Sequence, residues 1–203
     1  MFNVIVTMAG EGKRFRDAGY NIPKFMIEVK GKTLFEWSME SLLSLKNEHF
    51  YFITRKEDNA SDFIAVNCDK IGIHDFEIIE IELKTSGQAQ TAMYAINRCK
   101  LNDEILIYNI DTYVNSQYMK KSDLKKDGCI PCFKASGTHW SFVKLNEDGE
   151  ATKVVEKDRI SDNASIGAYY FKSVRDYIFA YNSLYVRKKQ LQKGEMYIAP
   201  MYN

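Results

Sequence analysis

Short apolar runs alternate with helical spacing through the first half of the chain. Val4-Ile5-Val6, Phe50-Tyr51-Phe52-Ile53, Phe76-Glu77-Ile78-Ile79 and Ile105-Leu106-Ile107-Tyr108 read as strands. Their largely continuous apolar character suits strands covered on both faces. Between them, Leu34, Trp37, Ser38, Leu42 and Leu45 recur at helical spacing within residues 33–45, and residues 60–71 and 87–99 read as two further helices. Thr33, with Glu36 three residues on, predicts a capped helix start. This alternation predicts an α/β fold with a mostly parallel central sheet flanked by helices on both faces.

After Asp111 the pattern changes. Residues 129–135, 141–145, 152–156 and 164–171 read as strands, with Asn146-Glu147-Asp148-Gly149 as a hairpin turn. Residues 173–192 read as an amphipathic helix. There is no repeat, low-complexity tract or linker, so the expectation is a single domain over 1–203. Residues 1–112 would bind the nucleotide, and 113–203 would add a smaller mixed sheet.

Composition narrows the function. The chain has 203 residues, 45% hydrophobic and 27% charged, which suits one globular α/β domain. Lys plus Arg number 28 against 27 for Asp plus Glu. No basic excess is available for a polyanion, so nucleic acid is not an expected partner, and phosphate binding must come from a local cluster. Of the four cysteines only Cys129 and Cys132 have C-x-x-C spacing. Without a second pair or nearby histidines, reduced thiols fit better than zinc. The start of the chain has no basic leader, and no run approaches the ~20 apolar residues needed to span a bilayer. A cytoplasmic protein without a membrane role is expected.

The first candidate for chemistry follows the first strand: Ala9-Gly10-Glu11-Gly12-Lys13-Arg14. Two glycines let backbone N–H groups approach an anion, and Lys13 and Arg14 can neutralise a triphosphate. The loop is neither a complete dinucleotide fingerprint nor a Walker loop, and a plain strand-to-helix turn satisfies it equally well. Pro23-Lys24 then fixes a further cation in an extended entry.

Taken together, Ala-Gly-x-Gly-x-Arg, the Pro-Lys pair and Val-x-Gly-Lys-x-Leu over residues 29–34 resemble the sugar nucleotidyltransferases. The looser circle includes sugar-1-phosphate pyrophosphorylase-like enzymes and capsule-locus nucleotidyltransferases. The resemblance runs through nearly the whole chain and implies a GT-A type, Rossmann-like fold. It implies that Ala9, Gly10, Glu11, Gly12 and Lys13 bind the nucleotide, and that Arg14 and Lys24 act on its phosphates. Thr85, Ser86, Gly87, Gln88 and Thr91 lie in the segment that meets the base, where Gln88 and Gln90 offer amides to a base edge. Thr85 or Ser86 capping the helix start is the plain structural alternative.

Asn109 and Asp111 end the fourth strand, where open α/β sheets place ligand-binding groups. The resemblance makes Asp111 the carboxylate that holds Mg²⁺ and Asn109 a nucleotide contact. In the second half, Glu156, Lys157, Gly167 and Tyr169 match the acceptor-binding pattern, with Lys157 on the acceptor's phosphate. Glu156 and Lys157 also fit a surface ion pair. Family members usually continue past the position of Asn203 into a stretch that often supplies a second metal-binding acid, so the C-terminal end looks short.

The implied reaction joins a nucleoside monophosphate from a triphosphate to a phosphorylated small molecule and releases pyrophosphate. CTP is favoured, with a phospho-amino acid, phosphocholine or a sugar phosphate as acceptor, for capsule or surface-polysaccharide synthesis. The Tyr- and Phe-rich strands leave room for a homodimer face. Two rivals stay open: a GT-A glycosyltransferase, although Asp111-Thr112-Tyr113 is not Asp-x-Asp, and a non-catalytic nucleotide-binding module.

Overall fold

The computed structural model describes residues 1–203. Its strands are β1 (Phe2–Thr7), β2 (Glu28–Val29), β3 (Lys32–Thr33), β4 (His49–Arg55), β5 (Phe76–Ile81), β6 (Glu104–Asn109), β7 (Gly128–Cys129), β8 (Cys132–Lys134), β9 (Ser141–Leu145), β10 (Ala151–Glu156), β11 (Asn163–Ser165) and β12 (Ala168–Phe171). The helices are α1 (Lys13–Asp17), α2 (Leu34–Glu40), α3 (Ser61–Ile71), α4 (Gln88–Ile96) and α5 (Val174–Tyr181). No helix is long and apolar enough to cross a membrane.

The main sheet runs in the order β5-β4-β1-β6-β12-β7. The pairs β1–β4, β1–β6 and β4–β5 are parallel, while β12 lies antiparallel to β6 and β7 to β12. Strand order therefore reverses between β1 and β6. A crevice opens there at the strands' C-terminal ends, because the connections leave in opposite directions.

The apolar runs are continuous because alternate residues serve two cores. Phe2, Val4 and Val6 of β1, Phe50 and Phe52 of β4, and Leu106 and Tyr108 of β6 pack with Phe35, Met39, Ile64 and Cys68 of α2 and α3. Ile5, Tyr51, Ile53, Ile105 and Ile107 face the other way, onto Ala89, Ala92 and Ile96 of α4 and Val174 and Tyr177 of α5. The two clusters hold 22 and 21 buried residues, so neither face of the sheet is left to solvent.

The second half of the chain adds a four-stranded sheet in the order β10-β9-β11-β8. The expected hairpin over residues 146–149 joins β9 and β10, with Gly149 N–H donating to the Asn146 carbonyl at 3.1 Å. Two other expectations change. The run 129–135 divides at Pro131, leaving β7 in the main sheet and β8 in the small one, because proline has no N–H to continue a ladder. The run 164–171 divides at Gly167, whose φ of 81° reaches the left-handed region. The two crossings lie together, since Ile166 N–H donates to the Pro131 carbonyl at 3.1 Å.

Helix boundaries also move. Thr33 and Glu36 form the capping box, but α2 ends at Glu40 and a separate 3-10 turn covers Leu43–Leu45. Ser41 donates its hydroxyl to the Trp37 carbonyl one turn back at 3.3 Å, as serine readily does within helices, and accepts the distant Val114 N–H at 2.9 Å. The helix expected over 173–192 is regular only to Tyr181, then widens into a π turn over Asn182–Arg187. That turn keeps Tyr185 on the inner side, where its hydroxyl bonds the Tyr197 carbonyl.

Candidate functional site

The Ala9-to-Gly12 loop leaves β1 at the crevice. Gly12 adopts φ 60° and ψ 32° as the residue before α1, a left-handed conformation that glycine takes without strain. α1 has no buried residue, and Arg16 Nε is tied back to the Glu11 carbonyl at 2.8 Å. Lys13 and Arg14 are exposed. Both stand at the helix's first turn, where cations oppose the helix dipole and an anion relieves them.

Asp111 follows β6 across the crevice. Lys24 Nζ meets its Oδ2 at 2.9 Å, with side-chain exposures of 18% for the lysine and 41% for the aspartate. The segment bearing Asp111 is bolted down from α2. Ser38, fully buried, donates towards the carbonyls of Ile110 and Thr112 at 2.7 and 3.0 Å, on either side of Asp111. Gly12 lies against the Lys24 stem, since a Cβ there would stand 3.5 Å from Lys24 Cβ. Loop, lysine and aspartate thus form one assembly although they come from three separate parts of the chain.

No group of three or more His, Cys, Asp or Glu side chains converges as a metal cage. Magnesium rarely needs one. It is commonly held by one or two carboxylates together with substrate phosphates and waters. A half-exposed carboxylate beside a lysine fits an ion that arrives with a triphosphate.

Gln88 opens α4 and spans the crevice, its Nε2 donating to Thr7 Oγ1 of β1 at 3.0 Å and to Asn109 Oδ1 of β6. Asn109 in turn donates its N–H to the Gly167 carbonyl at 3.1 Å. A Cβ on Gly167 would fall 2.3 Å from Asn109 Nδ2, so a side chain there would be strained at φ 81° and would displace the Asn109 amide. The expectation that Thr85 or Ser86 caps α4 is corrected. Gly87 is the cap residue and no side chain caps it. Thr85 Oγ1 instead meets Thr91 Oγ1 at 2.6 Å, and Ser86 N–H donates to Gln90 Oε1 at 2.6 Å. Gly87 has a second reason to be glycine: at φ 143°, a Cβ would lie 2.6 Å from both N and O of Met196.

At the expected acceptor site, Glu156 is buried rather than part of a surface pair, at 8% exposure. It accepts the Ser141 hydroxyl, and the Tyr169 hydroxyl stands 3.2 Å from Ser141 Oγ. Burial pushes the Glu156 carboxyl above its ordinary 4.5, against the Ser141 bond and the Lys157 charge, which pull it down. Above pH 4.5 the native state then keeps a proton that the unfolded chain has released, so stability falls as pH rises through that interval. Glu156→Gln is expected to remove this slope, read as Tm against pH. The same slope in the variant would assign it to another group.

Lys157 stands 3.8 Å from Glu156 Oε1, and its Nζ donates to the Tyr197 hydroxyl at 2.6 Å. Cys129 and Cys132, in different sheets, are free thiols; Cys129 is half-buried, which pushes its thiol up, while Cys132 is exposed.

Sequence reasoning passed over three contributors. Ser38 and Tyr197 act through contacts with distant segments that local pattern does not reveal. The third is a cleft of about 410 Å³ lined by Ala9, Glu11, Arg55, Glu82, Leu83 and Lys84, among others. It is walled by the C-terminal ends of β4 and β5, where the open-sheet rule would have placed it. Lys84 closes one rim with a 2.9 Å pair to Glu11, which holds the Glu11 carboxyl below its ordinary range.

Comparison with known proteins adds to this geometry. A family model described as nucleotidyl transferase matches residues 3–197. The crystal structure of a nucleoside-diphosphate-sugar pyrophosphorylase from Vibrio cholerae RC9 superposes with a TM-score of 0.88 and 34% identity, covering 98% of this chain and 86% of that one. The inositol-1-phosphate CTP transferase from T. maritima shares the fold at a TM-score of 0.77 and 16% identity, over 98% of this chain and 79% of that one. A candidate mannose-1-phosphate guanyltransferase of Sulfolobus acidocaldarius is 21% identical over 178 residues, which is 85% of this chain. The chain spans about half the length of that curated relative (49%).

Proposed function

The chain belongs to the nucleotidyl transferase family, and from that premise we propose that it joins the nucleoside monophosphate of a triphosphate to a phosphorylated small molecule. The observation that carries the reading is the assembly at the switch point: a glycine loop with two unpaired cations faces a Lys24–Asp111 pair 2.9 Å apart. A sugar phosphate suits the likeness to the Vibrio cholerae pyrophosphorylase. CTP is favoured, and capsule or surface-polysaccharide synthesis with it, on the likeness of Ala18-Gly19-Tyr20-x-x-Pro23-Lys24 and of the ending Glu195-x-Tyr197-x-Ala199-Pro200-x-Tyr202-Asn203 to capsule-locus members. The protein would work in the cytoplasm; the Tyr- and Phe-rich strands β4 and β12 bury their rings in the core, so they do not supply the homodimer face the sequence suggested.

The loop's N–H groups and Lys13 receive the phosphates, and Arg14 carries the charge that grows on the departing pyrophosphate. The base lodges in the cleft between the loop and the ends of β4 and β5, and Gly87 and Gln88, a few residues beyond its Lys84 rim, would approach the base from that side. Asp111 would hold Mg²⁺, which supplies neutralisation of the triphosphate's charge when bound. An acceptor phosphate oxygen attacks the α-phosphorus in line, a new P–O bond forms, and the bond to the β-phosphate breaks. Lys24 stabilises the α-phosphate, and Lys157 orients the attacking phosphate. Glu156, Tyr169 and the turn at Gly167 shape the acceptor's seat. The nucleophile is already ionised near neutrality, so positioning and charge do most of the work.

The test is pyrophosphate release with Mg²⁺, crossing CTP, UTP, GTP, ATP and dTTP with glucose 1-phosphate, mannose 1-phosphate, phosphocholine and phosphoglutamine. One productive pair is expected, and it names base and acceptor together. Triphosphate binding without release from any pair favours the non-catalytic module instead.

A further inference from the structure

Residues 195–197 join the nucleotide side of the molecule to the acceptor side. Met196 donates its N–H to the Ser86 carbonyl at 2.8 Å and accepts Ala89 N–H at 2.9 Å, clamping the start of α4. The next residue, Tyr197, receives Lys157 Nζ on its hydroxyl at 2.6 Å. Its own carbonyl is held by the Tyr185 hydroxyl. The backbone of Lys157 is equally constrained. Its φ of 53° is uncommon for a residue with a Cβ, its N–H donates to the Trp140 carbonyl at 2.9 Å, and its carbonyl accepts Lys193 Nζ at 3.1 Å.

Such fixation of a long, flexible side chain is costly in rotamer freedom, and the partner chosen for the ammonium is informative. A carboxylate would neutralise it. Glu156, the carboxylate within salt-bridge range, stands back at 3.8 Å. A phenol oxygen is uncharged, so it fixes direction while leaving the positive charge available to an anion. It can also accept from the lysine while donating its own proton to a phosphate oxygen.

We propose that Tyr197 is a positioning residue for Lys157, holding its ammonium in the orientation that meets the acceptor's phosphate, with the Met196 clamp tying that orientation to the nucleotide side. This rests on the role given to Lys157 above. Tyr197→Phe removes the oxygen and keeps the ring. The first readout needs no acceptor: limited acylation by acetic anhydride, followed by peptide mass spectrometry. Lys157 is expected to react several-fold faster in the variant relative to the exposed Lys144, at unchanged Tm, because the lost bond favours the charged amine. An unchanged relative rate overturns the proposal.

The second readout is kinetic, with whichever of glucose 1-phosphate, mannose 1-phosphate, phosphocholine or phosphoglutamine is productive. Tyr197→Phe should raise acceptor KM about tenfold, the size expected for one hydrogen bond to a charged group. The triphosphate KM should hold. In a Lys157→Met background the same change should add nothing, since coupled residues are non-additive. An equal effect in both backgrounds makes Tyr197 merely structural and overturns the inference. If Lys157→Met leaves acceptor KM unchanged, it is the role of Lys157 in the proposed reaction that falls.

Discussion

Asp111→Asn is expected to lower kcat/KM for pyrophosphate release by about a thousandfold while leaving Tm nearly unchanged. The substitution keeps size and polarity and removes one negative charge. If Asp111 neutralises the triphosphate through a bound cation, its loss acts where charge develops, an effect of roughly 3–4 kcal/mol or more at the barrier. The fold should barely notice. Asp111 is 41% exposed, partly exposed ion pairs contribute about 0–1 kcal/mol, and the adjoining carbonyls remain bonded to Ser38. A large fall in Tm would place Asp111 in the scaffold, and retained turnover would remove it from the chemistry.

The largest effect on stability is expected from Gly87→Ala. At φ 143° an L side chain is strained, and the added methyl meets backbone on both sides of Met196 at 2.6 Å. Neither the start of α4 nor residue 196 can yield without losing the bonds that join them, Met196 N–H to Ser86 and Ala89 N–H to Met196. A cost of about 3 kcal/mol follows, combining backbone strain with broken hydrogen bonds. For a domain of this size that lowers Tm by roughly 6–12 °C. Gly10→Ala is the control: nothing lies within 4 Å of its built Cβ and its φ is not positive, so its Tm should match the parent. Equal Tm for both variants would mean that the 195–197 segment does not depend on this contact.

The parallel core was legible in the sequence because β1, β4 and β6 carry apolar residues on both faces, and doubly covered strands must do so. The capping box at Thr33 and Glu36 was equally plain, being wholly local. The acceptor half was less so. Residues 129–135 and 164–171 read as single strands, and local pattern cannot say that a strand changes sheet midway. Pro131 and Gly167 were the available signals, each disfavouring a continuous ladder. Helix ends were displaced where serine or tyrosine hydroxyls preferred distant backbone, as at Ser41 and Tyr185.

The site divides along the same line. Gly10, Gly12, Lys24 and Asp111 stand in recognisable motifs, and the fold brings Gly12, Lys24 and Asp111 into contact. Ser38 stands in no motif, and the ending that contains Tyr197 does not reveal its bond to Lys157, because both partners lie far away in the chain. The cleft beside the loop exists only once β4 and β5 lie next to β1.

The central claim is that a nucleotidyl group moves onto a phosphorylated acceptor, and α-³²P-labelled triphosphate tests it most directly. With Mg²⁺ and the productive acceptor, the label should appear in an acceptor-linked product in step with pyrophosphate, and only when both substrates are present. Label confined to triphosphate or free monophosphate with every acceptor, alongside sugar transfer from a nucleotide sugar, would contradict the account and make the chain a glycosyltransferase.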